Sequence, residues 1–158
     1  MYMVNDDQLT DRLRLNVAQQ IAKGISVLHN NKPPIIHRDI KPENILIVTG
    51  ERSEDIVVKI ADFGISRIDV VKIDSAGTSY IPIIETNQPR GTFPYMPPEC
   101  CAAMDGRGLK DGKFIFDASI DIFALGLVYV YIFCYRSNRY GKSVFRCDLA
   151  DALFSCEL

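Results

Sequence analysis

The chain has 158 residues, 47% apolar and 24% charged, with 18 basic against 20 acidic side chains and a formal charge of −2. This composition excludes disorder, a collagen-like repeat and a coiled coil, and it suits one domain burying roughly 68–70% of its unfolded surface. The near-neutral balance provides no whole-chain field to draw a nucleic acid or an anionic membrane.

The opening stretch MYMVNDDQLTDRLRL has acidic residues where a signal peptide carries a basic region and an apolar core. Over residues 8–29, Leu9, Leu13, Val17, Ile21, Ile25 and Leu28 recur every three or four positions, the spacing of an amphipathic helix. Asn5 or Asp6 is a candidate N-cap, and Asn30, Asn31, Lys32, Pro33 and Pro34 end the helix. Two apolar runs, Ile45–Val48 and Ile56–Ile60, flank the polar loop TGERSED and read as a β-hairpin. From Gly64 to Glu99, Gly, Pro, Ser and Thr recur without a helical period, so irregular chain is expected, usually a functional or mobile feature at this length. A polar loop follows at Asp105–Lys113, then an apolar helix from about Ala118 to Tyr135. Its longest uncharged run, Ile122 to Tyr135, has 14 residues. That is short of the ~20 needed to span a bilayer, so it reads as a buried helix. The residues from Asn138 onward are mixed and compatible with a short helix.

The five cysteines, Cys100, Cys101, Cys134, Cys147 and Cys156, include no CxxC pair. An odd count of this kind reads as reduced thiols, and the expected location is cytoplasmic, with the nucleus also open. With only His29 and His37, no cysteine–histidine zinc cluster is expected.

The chemistry concentrates around the hairpin. His37-Arg38-Asp39-Ile40-Lys41-Pro42-Glu43-Asn44 leads into the first run, and Asp62-Phe63-Gly64 follows the second, Asp62 lying 23 residues after Asp39. An Asp and an Asn just before one strand, with an Asp just after its partner, converge at one end of a two-stranded ribbon. Oxygen ligands grouped in this way suit Mg²⁺, which takes one or two carboxylates and leaves positions for phosphate oxygens and water. Lys41 adds a point charge suited to a transferring phosphoryl group. The structural alternative is a surface turn of charged residues.

Taken together, these segments resemble the eukaryotic protein kinases of the serine/threonine type. HRDIKPEN matches the catalytic loop (37–44), DFG the metal-binding motif, and Pro97-Pro98-Glu99 the family's Ala-Pro-Glu, which closes an activation segment over 62–99. Leu28-His29, Gly91-Thr92, Tyr95-Met96 and Asp121-Ile122-Phe123-Ala124-Leu125-Gly126 match family positions as well, the last in a central buried helix over about 118–135. The resemblance implies a mainly α fold with a short β-hairpin, the C-terminal lobe of a kinase-like domain occupying residues 1–158. It implies ATP and Mg²⁺ as cofactors. Asp39 would accept the proton of a substrate hydroxyl, with Lys41 on the γ-phosphate and Asn44 and Asp62 as metal ligands. Lys41, Glu43, Asn44, Leu46 and Asp62 would line the nucleotide site, with Leu46 as a floor under adenine and Ile45 and Ile47 packed beneath it; plain core is the alternative for these three. Thr92 would hydrogen-bond near Asp39 and Lys41, and His37 and Phe63 would stack.

The resemblance also implies control by phosphorylation. Arg38 and Arg67 are candidate partners of a phosphate, and Thr86 is the first candidate phosphosite, ahead of Thr78 and Ser79. Solvated loop hydroxyls are the alternative. ATP and a protein substrate are the expected partners, with a partner kinase also considered.

The sequence departs from the family pattern in several places. No glycine-rich loop, strand lysine or helix glutamate precedes Asp6, and the late-helix Arg that would pair Glu99 is missing, leaving a stranded, partly buried charge. This stretch alone is therefore expected to be inactive. Phe123 and Pro97 replace the usual Trp and Ala. Asp121-Ile122-Phe123 together with Tyr140-Gly141-Lys142-Ser143 and Arg146 gives a weaker resemblance to the kinase–endoribonuclease sensors of the unfolded protein response and ribonuclease L. Beside the kinase reading stand a non-catalytic protein-interaction fragment and the kinase part of such a stress sensor.

Overall fold

The computed structural model describes residues 10–50, 55–66, 71–73, 80–86, 89–107 and 113–134. The first helix, α1 (Asp11–His29), starts at Thr10, whose Oγ1 accepts the Leu13 N–H. The cap is thus Thr10 rather than Asn5 or Asp6, which lie outside the described residues, as does Leu9. Asn30 closes the helix, its backbone and side-chain N–H groups both donating to the Ser26 carbonyl.

The hairpin forms as the apolar runs require. Strand β1 (Ile45–Thr49) pairs antiparallel with β2 (Ile56–Ile60), Ile45 opposite Ile60 and Thr49 opposite Ile56. A 3₁₀ turn over Pro42–Asn44 feeds β1. Gln20 fastens the hairpin to α1, its amide donating to the Ile56 carbonyl at 3.1 Å and accepting the Val58 N–H at 2.9 Å.

The hairpin is joined by a sheet that the sequence reading does not contain. A second, three-stranded antiparallel sheet has the order β3 (Val71–Ile73), β4 (Tyr80–Thr86), β5 (Phe114–Asp117). The first two strands occupy the stretch expected to be irregular. Pro82 hid β4: proline lacks the N–H that a middle strand donates, and it normally argues against one. Here it lies opposite Val71. In β5, Phe114 and Phe116 turn inward while Ile115 and Asp117 face out, an alternation too short to stand apart from the polar loop before it.

A 3₁₀ turn (Phe93–Tyr95) and α2 (Pro98–Met104) lead to β5, and α3 (Ser119–Cys134) follows it. Tyr135 and the stretch from Asn138 lie outside the described residues. The buried α3 helix is a helix with one buried face. Ile120, Asp121, Ala124, Leu125 and Val128 are buried, whereas Ile122, Tyr131 and Phe133 are exposed. No helix among the described residues is long and apolar enough to cross a membrane.

Two apolar clusters hold these elements. Val17, Ile21 and Ile25 of α1 pack with Ala124, Leu125 and Val128 of α3, closed by Ile40 and Ile56. On the other flank of α3, Ile120 joins Phe114, Phe116, Ile36, Met96, Cys100 and Ala103. Tyr129 donates its hydroxyl to the Ala18 carbonyl at 2.9 Å, and the Arg14 guanidinium donates to the Ile132 carbonyl, so the α1–α3 seam carries polar ties too.

Ile21, with 0% exposure, sits at the centre of that seam. Ile21→Ala is expected to lower the unfolding free energy by about 2–5 kcal/mol in urea titrations, through lost burial and a residual cavity. Val27→Ala, on the exposed face of the same helix, should change it by less than about 0.5 kcal/mol.

Candidate active site

The segment His37–Asn44 runs between α1 and the hairpin, and its shape depends on a buried carboxylate. Asp121, 1% exposed near the start of α3, accepts the backbone N–H groups of His37 and Arg38 at 2.8 Å each. His29, at the end of α1, places its Nε2 on the same carboxylate at 2.8 Å. These bonds hold Arg38 in the left-handed region (φ 72°), a conformation uncommon outside glycine. Gly91 packs onto the turn, where a Cβ would come within 3.0 Å of the Arg38 carbonyl and 3.3 Å of Met96 Cγ.

Beyond Arg38 the chain presents Asp39. Lys41 Nζ donates to Asp39 Oδ2 and to Thr92 Oγ1, both at 2.7 Å, and Thr92 Oγ1 donates to Asp39 Oδ1 at 2.6 Å. Asn44 Nδ2 donates to the Asp39 carbonyl at 2.8 Å and to Oδ2 at 3.1 Å. Burial pushes the Asp39 carboxyl up, but hydrogen bonds from Lys41, Thr92 and Asn44, with the charge of Lys41, outweigh it and hold the group below its ordinary 3.8.

Asn44 is buried, and both partners of its Nδ2 are oxygens that cannot donate. Its amide orientation is therefore set by chemistry, and Oδ1 is left as an acceptor with no donor among the described residues. The Asn44 carbonyl also accepts the Ala61 N–H at 2.9 Å, which sets Asp62 next to this turn. Asp62 is exposed, has φ 63°, and accepts only the Gly64 N–H on Oδ1 at 3.2 Å among the described residues. An amide oxygen and an open carboxylate are hard-oxygen donors of the kind that suits Mg²⁺. His37 lies beneath, its Nε2 donating to the Ala61 carbonyl at 3.0 Å and its Nδ1 accepting the Asp39 N–H at 3.3 Å. The rings of His37 and Phe63 are 4.9 Å apart, tilted by 59°.

The structure thus brings Asp39, Lys41, Asn44 and Thr92 into one hydrogen-bonded cluster with Asp62 alongside. Glu43 and Leu46 flank it and are exposed. Ile45 packs against the core, but Ile47 is exposed rather than packed beneath Leu46. Arg38 borders a cleft next to Asp39. Thr86 closes strand β4 opposite Phe114, not in an irregular loop, and Arg67, Thr78, Ser79 and Tyr140–Arg146 lie outside the described residues. Glu99 is exposed, so the stranded buried charge expected there does not arise. The holding roles of Asp121 and His29 were not legible, since a motif match names a position and not the amides it serves.

Comparison with known proteins agrees with this geometry. Residues 2–151 match the family model of the protein kinase domain. The chain is similar to the serine/threonine-protein kinase tousled-like 2 of Xenopus tropicalis, 31% identical over 149 residues, covering 94% of this chain and 20% of that protein. It is similar to tousled-like 1 of Homo sapiens, 33% identical over 128 residues, 81% of this chain and 15% of that protein. A shorter similarity, 45% over 62 residues, links it to CTR1 of Arabidopsis thaliana, covering 39% of this chain and 7% of that kinase. The chain belongs to the protein kinase family, among the serine/threonine kinases. It spans about a fifth or less of the length of these relatives.

Asp121→Asn replaces one acceptor oxygen by a donor facing N–H groups, leaving at least one buried N–H unpaired. An unfolding free energy about 1–3 kcal/mol lower is expected in denaturant titration. Lys41→Met removes a hydrogen bond and a charge from Asp39. In carboxyl-detected NMR titration, Asp39 should titrate below 3.8 in the wild type and at a higher pH in the variant. Because the folded-state value is depressed, the stability that Asp39 contributes is present above pH 3.8 and is lost as pH falls through the folded value.

Proposed function

We propose that the protein containing this chain transfers the γ-phosphoryl of ATP to serine or threonine hydroxyls of protein substrates, with Asp39 receiving the acceptor. The observation that carries this reading is the convergence of Lys41, Thr92 and Asn44 on the Asp39 carboxylate. A carboxylate kept ionised and held by three donors is oriented to accept a hydrogen bond from a hydroxyl and to take its proton as the oxygen attacks. Lys41, shared between Asp39 and Thr92, places a cation where charge builds on the phosphoryl oxygens. Thr92 couples the 62–99 segment to the catalytic loop. Asn44 Oδ1 and the open Asp62 carboxylate would hold Mg²⁺, which when bound neutralises phosphate oxygens and orients them for in-line displacement. Leu46, half exposed on the outer face of β1, would lie under adenine, with Glu43 at the edge of the site. Arg38, with Arg67, would pair a phosphate on Thr86, or on Thr78 or Ser79.

The sequence supplies the acceptor side and the metal side of this chemistry.

In a transfer assay on the whole protein that contains this chain, with Mg²⁺-ATP and a serine/threonine peptide, Asp39→Asn should reduce kcat by at least about 100-fold while leaving nucleotide affinity nearly unchanged. Asp62→Ala should abolish turnover and weaken Mg²⁺-ATP binding. Near-wild-type turnover in Asp62→Ala would overturn the metal assignment, and a parallel loss of nucleotide affinity in Asp39→Asn would overturn the role given to Asp39.

A further inference from the structure

Asp62, Phe63 and Gly64 are all exposed, so burial does little to hold them in place. Asp62 also has φ 63°, in the left-handed region that disfavours a side chain. Keeping its carboxylate beside Asn44 therefore calls for polar ties. Within the stretch, the Gly64 N–H donates to Asp62 Oδ1 at 3.2 Å and the Ser66 N–H to the Phe63 carbonyl at 3.1 Å. Those two bonds shape the turn, but they attach it to no other element.

The attachment runs through one residue, His37. Its ring Nε2 donates to the Ala61 carbonyl at 3.0 Å, immediately before Asp62. Its carbonyl accepts the Ser66 hydroxyl at 3.2 Å, just past the turn. Residues 62–65 thus form a short arch with both feet on His37. That residue is 0% exposed and its own N–H is held by Asp121 at 2.8 Å, so both feet rest on a fixed point. The Phe63 ring lies 4.9 Å from the His37 ring, but it is half exposed and grips weakly. The second foot depends on the Ser66 hydroxyl, and an alanine there leaves the arch standing on one.

We infer that Ser66 is a positioning residue for Asp62, its hydroxyl setting where that carboxylate lies relative to Asn44. The inference rests on the phosphoryl-transfer reading, in which Asn44 and Asp62 hold Mg²⁺. This ion demands near-ideal octahedral geometry. A carboxylate free to leave its place therefore lowers affinity even with every ligand still present. Loss of one such hydrogen bond shifts the balance between held and released Asp62 by about two- to tenfold.

The test compares Ser66→Ala with Ser66→Thr, which restores the hydroxyl, in the whole protein that contains this chain. Hydrogen-exchange mass spectrometry without metal or nucleotide should show residues 62–66 exchanging about two- to tenfold faster in Ser66→Ala. The 37–44 loop should exchange as in the wild type, because Asp121 still holds its first two amides. Electron paramagnetic resonance of free Mn²⁺, with a non-hydrolysable ATP analogue present, should show the apparent Mn²⁺ dissociation constant raised by about two- to tenfold. Ser66→Thr should return both readouts to wild-type values. Unchanged exchange in Ser66→Ala would overturn the inference, since the hydroxyl would then hold nothing. So would faster exchange with unchanged Mn²⁺ affinity, the result of a purely structural bond, or a Ser66→Thr variant that behaves like Ser66→Ala. Asp62→Ala, measured alongside, separates this inference from the reading beneath it. Mn²⁺ affinity lowered by Asp62→Ala but not by Ser66→Ala overturns the positioning role alone. Affinity insensitive to both overturns the metal assignment, and the positioning role with it.

Discussion

The carboxylate of Asp121 is the point on which this molecule's geometry turns. Almost wholly buried, it would cost several kcal/mol as an unpaired charge. It is instead matched by three donors drawn from two other parts of the chain, the amides of His37 and Arg38 and the ring of His29. Hydrogen bonds to an ionised acceptor are about twice as strong as neutral ones. They are strong enough here to keep Arg38 in a left-handed conformation that costs of the order of 1–3 kcal/mol for a side chain. That turn is what swings Asp39 out of the core and toward Lys41 and Thr92. A buried charge, usually a poor stabiliser, here fixes direction.

A second economy lies in the cluster itself. Lys41, Thr92 and Asn44 each bond to Asp39, and each has another attachment. Lys41 also reaches Thr92, Thr92 belongs to the segment after Gly91, and Asn44 carries the Ala61 amide on its carbonyl. The groups that depress the Asp39 carboxyl are thus the groups that tie the 37–44 loop to the hairpin and to the segment around Gly91. Electrostatic tuning and mechanical coupling are one set of bonds. Any rearrangement that takes Thr92 away must change both the orientation and the proton affinity of Asp39.

What the sequence disclosed followed from pattern length. The 3–4 spacing over α1 and the paired runs of the hairpin are long enough for periodicity to be read, and both elements form there. The helix start slipped to Thr10 because Leu9 continues the apolar spacing, and spacing alone does not mark where amides need a cap. Strand β4 was obscured by Pro82, and β5 by having only four residues between a polar loop and a helix. The chemistry-bearing side chains of the site were legible because HRD, KPEN and DFG specify residue types in order. The supporting bonds were not, because a charged residue heading an apolar helix reads equally well as a solvated first turn. Burial and pairing are what set Asp121 apart from a solvated first-turn residue, and those belong to the folded chain.

The N-terminal end of α3 also explains why the unexpected sheet matters to the site. Strand β5 ends at Asp117, whose carboxylate accepts the Ser119 N–H at 2.8 Å, and α3 begins at that serine. β4 pairs with β5, so this strand is registered to the same helix end that holds the 37–44 loop through Asp121. Loop and segment therefore share one reference point, and the Lys41–Thr92–Asp39 bonds close the triangle between them. The side of the triangle through Asp121 is buried and charge-assisted, whereas the side through Thr92 lies beside an open cleft. By that contrast the turn at Arg38 is the firmer of the two attachments of Asp39, and the bonds from Thr92 are the ones solvent can reach.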